Sequence, residues 1–242
     1  MIKNELSTVV LTTDTTHHRY FVHQLRKRFV VSSVIIENTS VNPYLQINQN
    51  FTNLQTEFEI SHWENTNLLP FSDYVETLSV TNVNNALSLD YIKHKKPAFI
   101  ILFGTRKVSM KVVELAEIGC INLHGGNPQY YRGLDSHLWA IYHRDWNNLT
   151  VTLHYVDHEL DSAPIILQSD LPIFKNMKLH QLRASTTEVC VKLTELALLS
   201  QYNLGWIPSS RQYLKGRYYS AMPNELRTIC ISRFDSYTKE YV

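Results

Sequence analysis

One uninterrupted apolar run, AFIILFG at residues 98–104, constrains the fold of this chain more than any other feature. Pro97 and Gly104 bound the run, and its length suits a strand better than a helix. A strand that is apolar at every position has both of its faces covered. That is typical of the centre of a parallel sheet with helices on either side. The run therefore predicts a central strand of an α/β fold.

The first 36 residues predict one strand, one helix and a second strand. Leu6 to Thr12 is short and rich in Val and Thr, and Val30 to Ile36 is a second apolar segment. Between them Phe21, Leu25 and Phe29 recur every four residues, which predicts the buried face of a helix. Since two strands joined by a helix pair in parallel, this half is predicted to be Rossmann-like.

Similar patterns predict the elements of the rest of the chain. Further helices are expected at 83–94, 111–118, near 135–143 and at 179–202, and further strands at 120–126, 150–156 and 164–173. Residues 37–70 lack sustained periodicity and predict a long excursion or weak strands rather than core. Gly205 and Pro208 end the last helical pattern. We therefore expect an α/β fold, with a Rossmann-like, mostly parallel sheet at residues 1–208 and a small β-rich C-terminal appendage at residues 209–242.

Charge and cysteine usage exclude several classes of protein. The 23 basic and 22 acidic residues give a formal charge of +1, which is too balanced for a surface built mainly to bind nucleic acid. Cys120, Cys190 and Cys230 are isolated, so neither a disulfide framework nor a metal site is expected. The first residues have too short an apolar run for a signal peptide, and no stretch reaches the roughly 18 apolar residues of a membrane helix. A soluble, cytoplasmic protein with no nucleic-acid or membrane partner is predicted.

Asn122 and His124 lie two residues apart at the end of the predicted strand CINLHGG. The carboxyl ends of parallel strands line a ligand crevice, and this spacing places both side chains on one side of the strand. An amide can donate a hydrogen bond to an oxyanion, and a neutral imidazole can take a proton from an attacking amine. Asp161, in DHELDSAP after the strand TVTLHYV, is a candidate to orient that imidazole. Spacing alone leaves open that these are ordinary polar residues at a strand end.

Residues 121–173 resemble the core of the formyltetrahydrofolate-dependent formyltransferases, a family with glycinamide ribonucleotide, methionyl-tRNA and sugar-nucleotide enzymes. The family has, in order, Asn-x-His, an Arg-Gly loop, a helix, a strand with Thr-x-His or a similar pattern, and Leu-Asp-Thr-Gly-Pro. The matching positions here are Asn122 and His124, Arg132 and Gly133, the helix at Ser136, and Leu160, Asp161, Ser162, Ala163 and Pro164. The resemblance implies that residues 1–208 form a catalytic domain with the formyltransferase fold.

The resemblance implies a role for each member of a catalytic trio. Asn122 would stabilise the tetrahedral oxyanion, His124 would be the general base, and Asp161 would support His124 and the bound cofactor. Two departures from the family pattern stand out. Gly125-Gly126 replaces the commoner Pro-Ser pair, which suggests a different acceptor. Ala163 stands where glycine is usual, which leaves the loop geometry after Asp161 open.

The cofactor implied by the resemblance is 10-formyltetrahydrofolate. In this family its pterin lies against the end of a central strand and the loop before the catalytic aspartate. The matching residues are Phe103, Gly104, Thr105, Arg106, Asp157, His158, Glu159 and Leu160. The alternative interpretation of these segments is a buried strand end and a solvated acidic turn.

The acceptor follows by elimination within the family. Glycinamide ribonucleotide enzymes bind a phosphate through a Gly-rich turn after the first strand, whereas TTDTTHHRYF here has no glycine. A methionyl-tRNA enzyme is expected to carry a larger basic C-terminal domain, and only a short tail follows the last long helix. The expected acceptor is a nucleotide-linked amino sugar, such as a dTDP-4-amino-4,6-dideoxyhexose or a 3-amino isomer made for lipopolysaccharide O-antigen. The residues expected to bind it are Thr16, His17, His18, Gly125, Gly126, Tyr130, Tyr131, Arg132, Gly133, Lys215, Arg217, Tyr218 and Tyr219.

Other functions stay open as alternatives. Within the family the alternative is phosphoribosylglycinamide formyltransferase, and outside it a module that binds a nucleotide or folate without catalysis. A metal hydrolase would use His154 and His158, but no carboxylate completes a recognisable motif, and no Gly-x-Ser-x-Gly elbow indicates a serine hydrolase. A homodimer contact through the helix at 179–202 or through C-terminal strands is expected, mainly from the resemblance.

Overall fold

Nine strands form two sheets in the part of the chain that this computed structural model describes, residues 6–38 and 49–240. In chain order the strands are β1 (Thr8–Thr12), β2 (Val31–Glu37), β3 (Glu76–Val80), β4 (Phe99–Phe103), β5 (Gly119–His124), β6 (Tyr131–Gly133), β7 (Thr150–Tyr155), β8 (Ile165–Asp170) and β9 (Arg217–Tyr219). The larger sheet has the order β3-β2-β1-β4-β5-β7-β8, and β6 pairs with β9. Neighbours from β3 to β5 run parallel, while β7 and β8 run antiparallel at one edge. The expectation of a mostly parallel α/β sheet is confirmed.

Seven helices accompany these strands among the described residues. They are α1 (Thr16–Arg26), α2 (Gln49–His62), α3 (Ala86–Lys95), α4 (Met110–Val113), α5 (Ser136–Tyr142), α6 (Leu182–Leu204) and α7 (Asn224–Glu240). Asn85 caps α3 by accepting a hydrogen bond from the Ser88 amide, and Lys96 ends it in a left-handed conformation just before Pro97. α6 ends in the same way at Gly205, with a φ of 76°. None of the helices within the described ranges is long and apolar enough to cross a membrane.

β4 lies at the centre of the larger sheet, and all five of its residues are buried. Phe99 and Ile101 belong to the apolar cluster that includes Phe21 of α1 and Leu198 of α6. Ile100 belongs to a second cluster, on the side of α3 and α4. Alternating side chains of one strand thus reach a core on each face of the sheet. Burial of each such side chain contributes roughly 1.5–3 kcal/mol, and the prediction of a central strand from AFIILFG is confirmed.

The other predicted elements differ from the structure mainly in length. α1 connects the parallel strands β1 and β2, so the N-terminal strand, helix and strand are confirmed. The helix predicted at 83–94 begins at Ala86, and the one predicted at 111–118 is a single turn that ends at Val113. The long C-terminal helical pattern begins with a 3-10 turn at 179–181 and continues as α6.

The prediction that residues 37–70 contribute no helix or core is wrong over their second half. Residues 39–48 lie outside the described ranges, but α2 follows them directly, and its Phe51 and Glu59 are buried. A glutamate at a buried position interrupts the apolar periodicity by which a helix is recognised. The sequence pattern missed α2 for that reason.

The expectation of a β-rich C-terminal appendage is also wrong. β9 has three residues, whereas α7 has 17. Cys230, Phe234 and Thr238 recur every four residues and are buried, which is the periodicity of a helix face. α7 packs against α5, and the Thr238 hydroxyl donates to the Met177 carbonyl over 2.9 Å. A domain boundary at residue 208 stays a prediction.

Candidate active site

A cavity of about 750 Å³ lies where the carboxyl ends of β4 and β5 meet the loop after β7. Residues 104–108 after β4, residues 122–125 at the end of β5 and most of residues 156–161 line it. Helices α2, α5 and α6 supply the remaining walls, for example through Phe51 and Arg183. The ends of β4 and β5 meet because the carboxyl ends of neighbouring parallel strands lie at one edge of the sheet, whereas β7 runs antiparallel to β5 and is followed by a loop that passes beside β5.

Four largely buried side chains form a polar cluster in this cavity: Asn122, His124, His154 and Asp161. Asn122 Nδ2 lies 3.1 Å from His154 Nε2 and 3.4 Å from Asp161 Oδ1. The other carboxylate oxygen of Asp161 lies 3.7 Å from His124 Nδ1, and Oδ1 lies 3.5 Å from His154 Nε2. Asn122 and His154 face each other across the β5–β7 ladder. The trio predicted from the sequence therefore meets in space, with His154 as a fourth member.

The hydrogen bonds of His124 determine which of its nitrogens is basic. Nε2 lies 2.8 Å from the Tyr131 carbonyl oxygen, which can only accept, so a neutral His124 carries its proton on Nε2. Its lone pair is then on Nδ1, on the side of Asp161. A base at that position can take up a proton and be stabilised as an imidazolium by the nearby carboxylate.

Asp161 is held as an anion by its surroundings. Burial raises the pKa of its carboxyl, but the neighbouring histidines and the Gly133 amide outweigh burial, so the pKa lies well below its usual range. The Gly133 N–H donates to Oδ2 over 2.9 Å. Gln212 Nε2 donates to the Asp161 carbonyl oxygen over 3.1 Å, which ties the loop to the C-terminal segment. Asp161 therefore presents a fixed negative charge to both histidines.

The two departures from the family pattern have a structural basis. A Cβ on Gly126 would lie 2.8 Å from Ser136 Cβ, and one on Gly125 would lie 3.2 Å from His137 Cε1. The glycine pair thus lets the first turn of α5 approach the end of β5. Ala163 is not among the described residues with positive φ, so an alanine fits its backbone.

Six of the eight residues predicted to bind the cofactor line the cavity. They are Gly104, Thr105, Arg106, Asp157, Glu159 and Leu160. Phe103 is buried, and His158 contributes its carbonyl oxygen to Lys107 Nζ at 2.7 Å. The Arg106 guanidinium is paired with the buried Glu37, Nε to Oε1 at 2.6 Å. That pairing ties the loop after β4 to the end of β2.

A smaller share of the residues predicted to bind the acceptor lines the cavity than of those predicted to bind the cofactor. Gly125, Gly133 and Tyr218 line it. The other ten are outside its lining: Thr16, His17, His18, Gly126, Tyr130, Tyr131, Arg132, Lys215, Arg217 and Tyr219.

Several of these side chains hold loops together around the cavity. Arg132 donates from Nε to the Gly216 carbonyl at 2.7 Å and from Nη1 to the Leu160 carbonyl at 3.2 Å. Lys215 Nζ lies 2.7 Å from Glu159 Oε2. The pairing of β6 with β9 therefore brings the Tyr/Arg-rich segments to one rim, where Arg132 connects them to the loop that carries Asp161.

His17 and His18 lie in the first turn of α1, just after β1. His18 Nδ1 is 3.0 Å from Thr13 Oγ1 and 2.8 Å from Thr15 Oγ1, and its ring lies where a Cβ on Gly104 would be. Burial lowers the pKa of both histidines, and the positive charge of Arg183 lowers it further, to about 3 for His18. Both side chains are neutral at physiological pH.

Sequence reasoning missed an ion pair in the cavity wall. Arg183 of α6 binds the fully buried Glu59 of α2 through Nε at 2.5 Å and Nη2 at 3.0 Å. Burial raises the pKa of Glu59 and Arg183 opposes that shift. The only signal in the sequence was a glutamate at an otherwise apolar position.

A second missed pair joins the C-terminal helix to the site. Arg227 of α7 and Asp135 both line the cavity, with Nη2 and Oδ2 2.5 Å apart. The Met222 amide also donates to Asp135 Oδ2, over 2.8 Å. Asp135 precedes α5 with a φ of 53°, and Ser136 follows with its Oγ 3.4 Å from His124 Nε2. These contacts connect α7 to the polar cluster.

The cysteines and the other polar clusters add no further candidate centre. Cys120, Cys190 and Cys230 are buried and free, and burial raises the pKa of Cys230 to about 11. Within residues 6–38 and 49–240, no group of three or more His, Cys, Asp or Glu is arranged to hold a metal ion. The cavity with the polar cluster is therefore the candidate active site.

Parts of this chain are similar in sequence to known proteins. A family model described as formyl transferase matches residues 72–198, just over half of the chain. Methionyl-tRNA formyltransferase of Trichodesmium erythraeum is 31% identical over 75 residues, which cover 31% of this chain and 22% of that protein. The bifunctional polymyxin resistance protein ArnA of Wigglesworthia glossinidia brevipalpis is 31% identical over 93 residues, or 38% of this chain and 14% of that one. The match thus spans less than a quarter of either relative.

Two solved structures share the fold over nearly the whole chain. A sugar N-formyltransferase from Shewanella has a TM-score of 0.58 at 14% identity and covers 96% of this chain and 88% of its own. HypX from Aquifex aeolicus, solved in complex with tetrahydrofolic acid, has a TM-score of 0.56 at 16% identity over 98% of this chain and 35% of its own. At such low identity these likenesses concern the fold alone.

Proposed function

Because the chain belongs to the formyl transferase family, we propose that it transfers the formyl group of 10-formyltetrahydrofolate to the amine of a nucleotide-linked amino sugar. One observation carries the proposal. An amide donor, an imidazole with its basic nitrogen inward and an anionic carboxylate meet at one point of a cavity. Transfer of an acyl group to an amine needs a donor for the oxyanion and a base for the proton of the amine.

The lining of the cavity fits a folate. Leu102, Val108 and Val156 provide apolar surface, and the segment from Gly104 to Arg106 adds peptide groups beside it. An apolar wall with a few fixed polar groups is the usual surround of a heteroaromatic ring. These residues and the loop at 157–160 would hold 10-formyltetrahydrofolate, which supplies an activated formyl carbonyl when bound.

Three side chains of the polar cluster have different roles in the transfer. His124 Nδ1 takes the proton that the acceptor amine loses on attack. The Asn122 amide nitrogen lies 3.1 Å from His154 Nε2 and 3.4 Å from Asp161 Oδ1, and the N–H of the longer contact turns to the oxygen on which negative charge develops. Asp161 stays ionised and stabilises the imidazolium of His124. Each such contribution is worth roughly a hundredfold or more in rate.

Two observations bear on the choice of acceptor, and they favour different candidates. A sugar N-formyltransferase shares the fold over 96% of the chain, and Tyr218 and Arg227 offer a ring and a cation at the cavity. Curated relatives named methionyl-tRNA formyltransferase favour a second candidate, the amine of an aminoacyl-tRNA. Synthesis of surface polysaccharide, a cytoplasmic location and a homodimer stay predictions.

An acceptor panel tests the proposal. The purified protein is incubated with 10-formyltetrahydrofolate and, separately, with dTDP- and UDP-linked 3-amino and 4-amino dideoxyhexoses, glycinamide ribonucleotide and methionyl-tRNA. Released tetrahydrofolate is followed by absorbance and the formylated product by mass. A nucleotide sugar is expected to react. Turnover of glycinamide ribonucleotide or methionyl-tRNA alone would overturn the acceptor, and binding of folate without turnover of any acceptor would favour a non-catalytic module.

A further inference from the structure

We propose that His154 is a positioning residue for the reaction: it holds the Asn122 amide with its NH2 group toward the reacting centre, and it does so only while it is neutral. This inference rests on the proposed function for its effect on turnover. The contact itself is a property of the polar cluster and can be measured without turnover.

The hydrogen bonds of His154 fix its tautomer. Its Nδ1 lies 2.6 Å from the carbonyl oxygen of Tyr155, which can only accept, so Nδ1 carries the proton of the neutral ring. The lone pair of Nε2 then points at Asn122 Nδ2, 3.1 Å away. His154 is therefore an acceptor for the amide of Asn122.

A second acceptor supports the same orientation of the amide. Asn122 Nδ2 is also 3.4 Å from Asp161 Oδ1, and that carboxylate is ionised. Rotation of the amide by half a turn would place its oxygen against a lone pair of His154 and a negative charge of Asp161. Such a turn loses a hydrogen bond and adds repulsion in a largely buried cluster. Together the two acceptors direct the N–H groups of Asn122 into the cluster.

Protonation of His154 would reverse this arrangement. Nε2 would become a donor 3.5 Å from Asp161 Oδ1 and would no longer accept from Asn122. The ring faces two titratable groups on neighbouring elements. They are Asp161, with Oδ1 3.5 Å from Nε2, and His124, whose ring centroid lies 6.4 Å away. Protonation at Nε2 of His154 would thus remove the acceptor that orients Asn122.

Two variants and a matched control test the idea through kinetics. His154→Leu removes the acceptor, and we expect kcat to fall about 10- to 100-fold, the scale of a misdirected oxyanion donor, with the KM for 10-formyltetrahydrofolate nearly unchanged. His154→Gln supplies an acceptor that does not titrate and is expected to restore most of kcat. His94→Gln, on an exposed surface of α3, is the control.

A double-mutant cycle separates this role from a general loss of structure. In an Asn122→Ala background, His154→Leu is expected to cost less than about twofold more in kcat, because the residue through which it acts is gone. An undiminished cost in that background, or a kcat for His154→Gln as low as that for His154→Leu, would overturn the inference.

A spectroscopic measurement keeps the inference independent of turnover. In protein labelled with ¹⁵N at histidine, the His154 resonances, identified by their loss in His154→Gln, are expected to show the Nδ1–H tautomer. An Nε2–H tautomer would refute the inference even in an active enzyme. If the wild type turned over no acceptor, the proposed function would fail, and this spectrum would still decide the orientation at Asn122.

Discussion

Two pairs of histidines lie near the ends of strands, and the charges around them differ. His17 and His18 follow β1, where His17 Nδ1 lies 3.8 Å from Glu59 Oε2, and burial together with the positive charge of Arg183 lowers the pKa of both. His124 and His154, on β5 and β7, face the anion of Asp161. The first pair is kept neutral, whereas the second lies beside a carboxylate. The same residue type thus serves as fixed packing in one place and as a candidate base in the other.

The largest effect expected from this comparison is on kcat. His124→Asn keeps a polar side chain but removes the base, so kcat is expected to fall about 100- to 10,000-fold. His18→Asn is expected to lower kcat by less than about tenfold, since a neutral His18 transfers no proton. Steady-state assays of both variants, with His94→Asn as an exposed control, measure the difference. A His124→Asn enzyme within twofold of the wild type would refute the assignment of the base.

The next effect concerns the cation that keeps the first pair neutral. Arg183→Gln leaves Glu59 buried without its partner, and the free energy of unfolding is expected to fall by about 3–5 kcal/mol. The pKa of His18 should rise in the variant but stay below its usual value, because burial is the larger cause of its shift. Denaturant titration and histidine NMR measure the two effects.

The matched control for that variant is an exposed ion pair. Arg19 pairs with Asp14 near the surface, with Nε and Oδ1 2.6 Å apart. Arg19→Gln is expected to cost about 1 kcal/mol or less. Equal losses of unfolding free energy in the two variants would mean that the buried ion pair of Glu59 contributes no more to stability than an exposed one.

A smaller effect is expected in the dependence of stability on pH. A histidine whose pKa is lower in the folded state binds its proton more readily when unfolded, so its contribution is present above pH 6.5 and is lost as the pH falls toward 3. The loss for His18 is at most about 1.4 kcal/mol per pH unit. His18→Asn should therefore flatten the decline in the free energy of unfolding between about pH 6 and pH 4. An unchanged slope would show that His18 is not the buried neutral group that we describe.

The smallest expected effect tests how His18 packs beside the cavity. Gly104 and Gly205 both have positive φ, but a Cβ on Gly104 would overlap His18 Nε2, whereas a Cβ on Gly205 would meet nothing within 4 Å. Gly205→Ala should cost about 1 kcal/mol of backbone strain, and Gly104→Ala about 1–3 kcal/mol more from overlap. Thermal unfolding of both variants measures the difference. The double variant Gly104→Ala/His18→Ala lacks the ring and should recover most of the stability that the overlap costs. If it recovers none, the added Cβ clashes with a group other than His18.

Local sequence patterns were sufficient to predict the centre of the fold. AFIILFG predicts β4 because an apolar residue at every position has one simple explanation, burial on both faces. Asn122, His124 and Asp161 were also expected to lie together, since strand ends converge at one edge of a parallel sheet. In the structure they do meet, although their roles in catalysis stay a proposal.

The features that the sequence did not reveal depend on partners distant along the chain. Glu59 is buried in α2 only because Arg183, 124 residues later, neutralises it. The low pKa of His18 likewise depends on its burial and, to a smaller extent, on Arg183. Neighbouring residues carry no information about such partners. The expected β-rich appendage is a different case, because the local spacing of Cys230, Phe234 and Thr238 already indicates the helix that forms there.

The contacts made by residues 212–227 have a consequence for how the protein is made. Gln212 holds the carbonyl of Asp161, and Arg227 and the Met222 amide hold Asp135 at the start of α5. All strands of the larger sheet have been synthesised by residue 170, whereas these contacts require some fifty further residues of nascent chain. The sheet can therefore begin to fold during translation before the geometry around Asp161 is complete. A partly synthesised chain would have the architecture of the enzyme while still lacking the contacts that hold its catalytic loop.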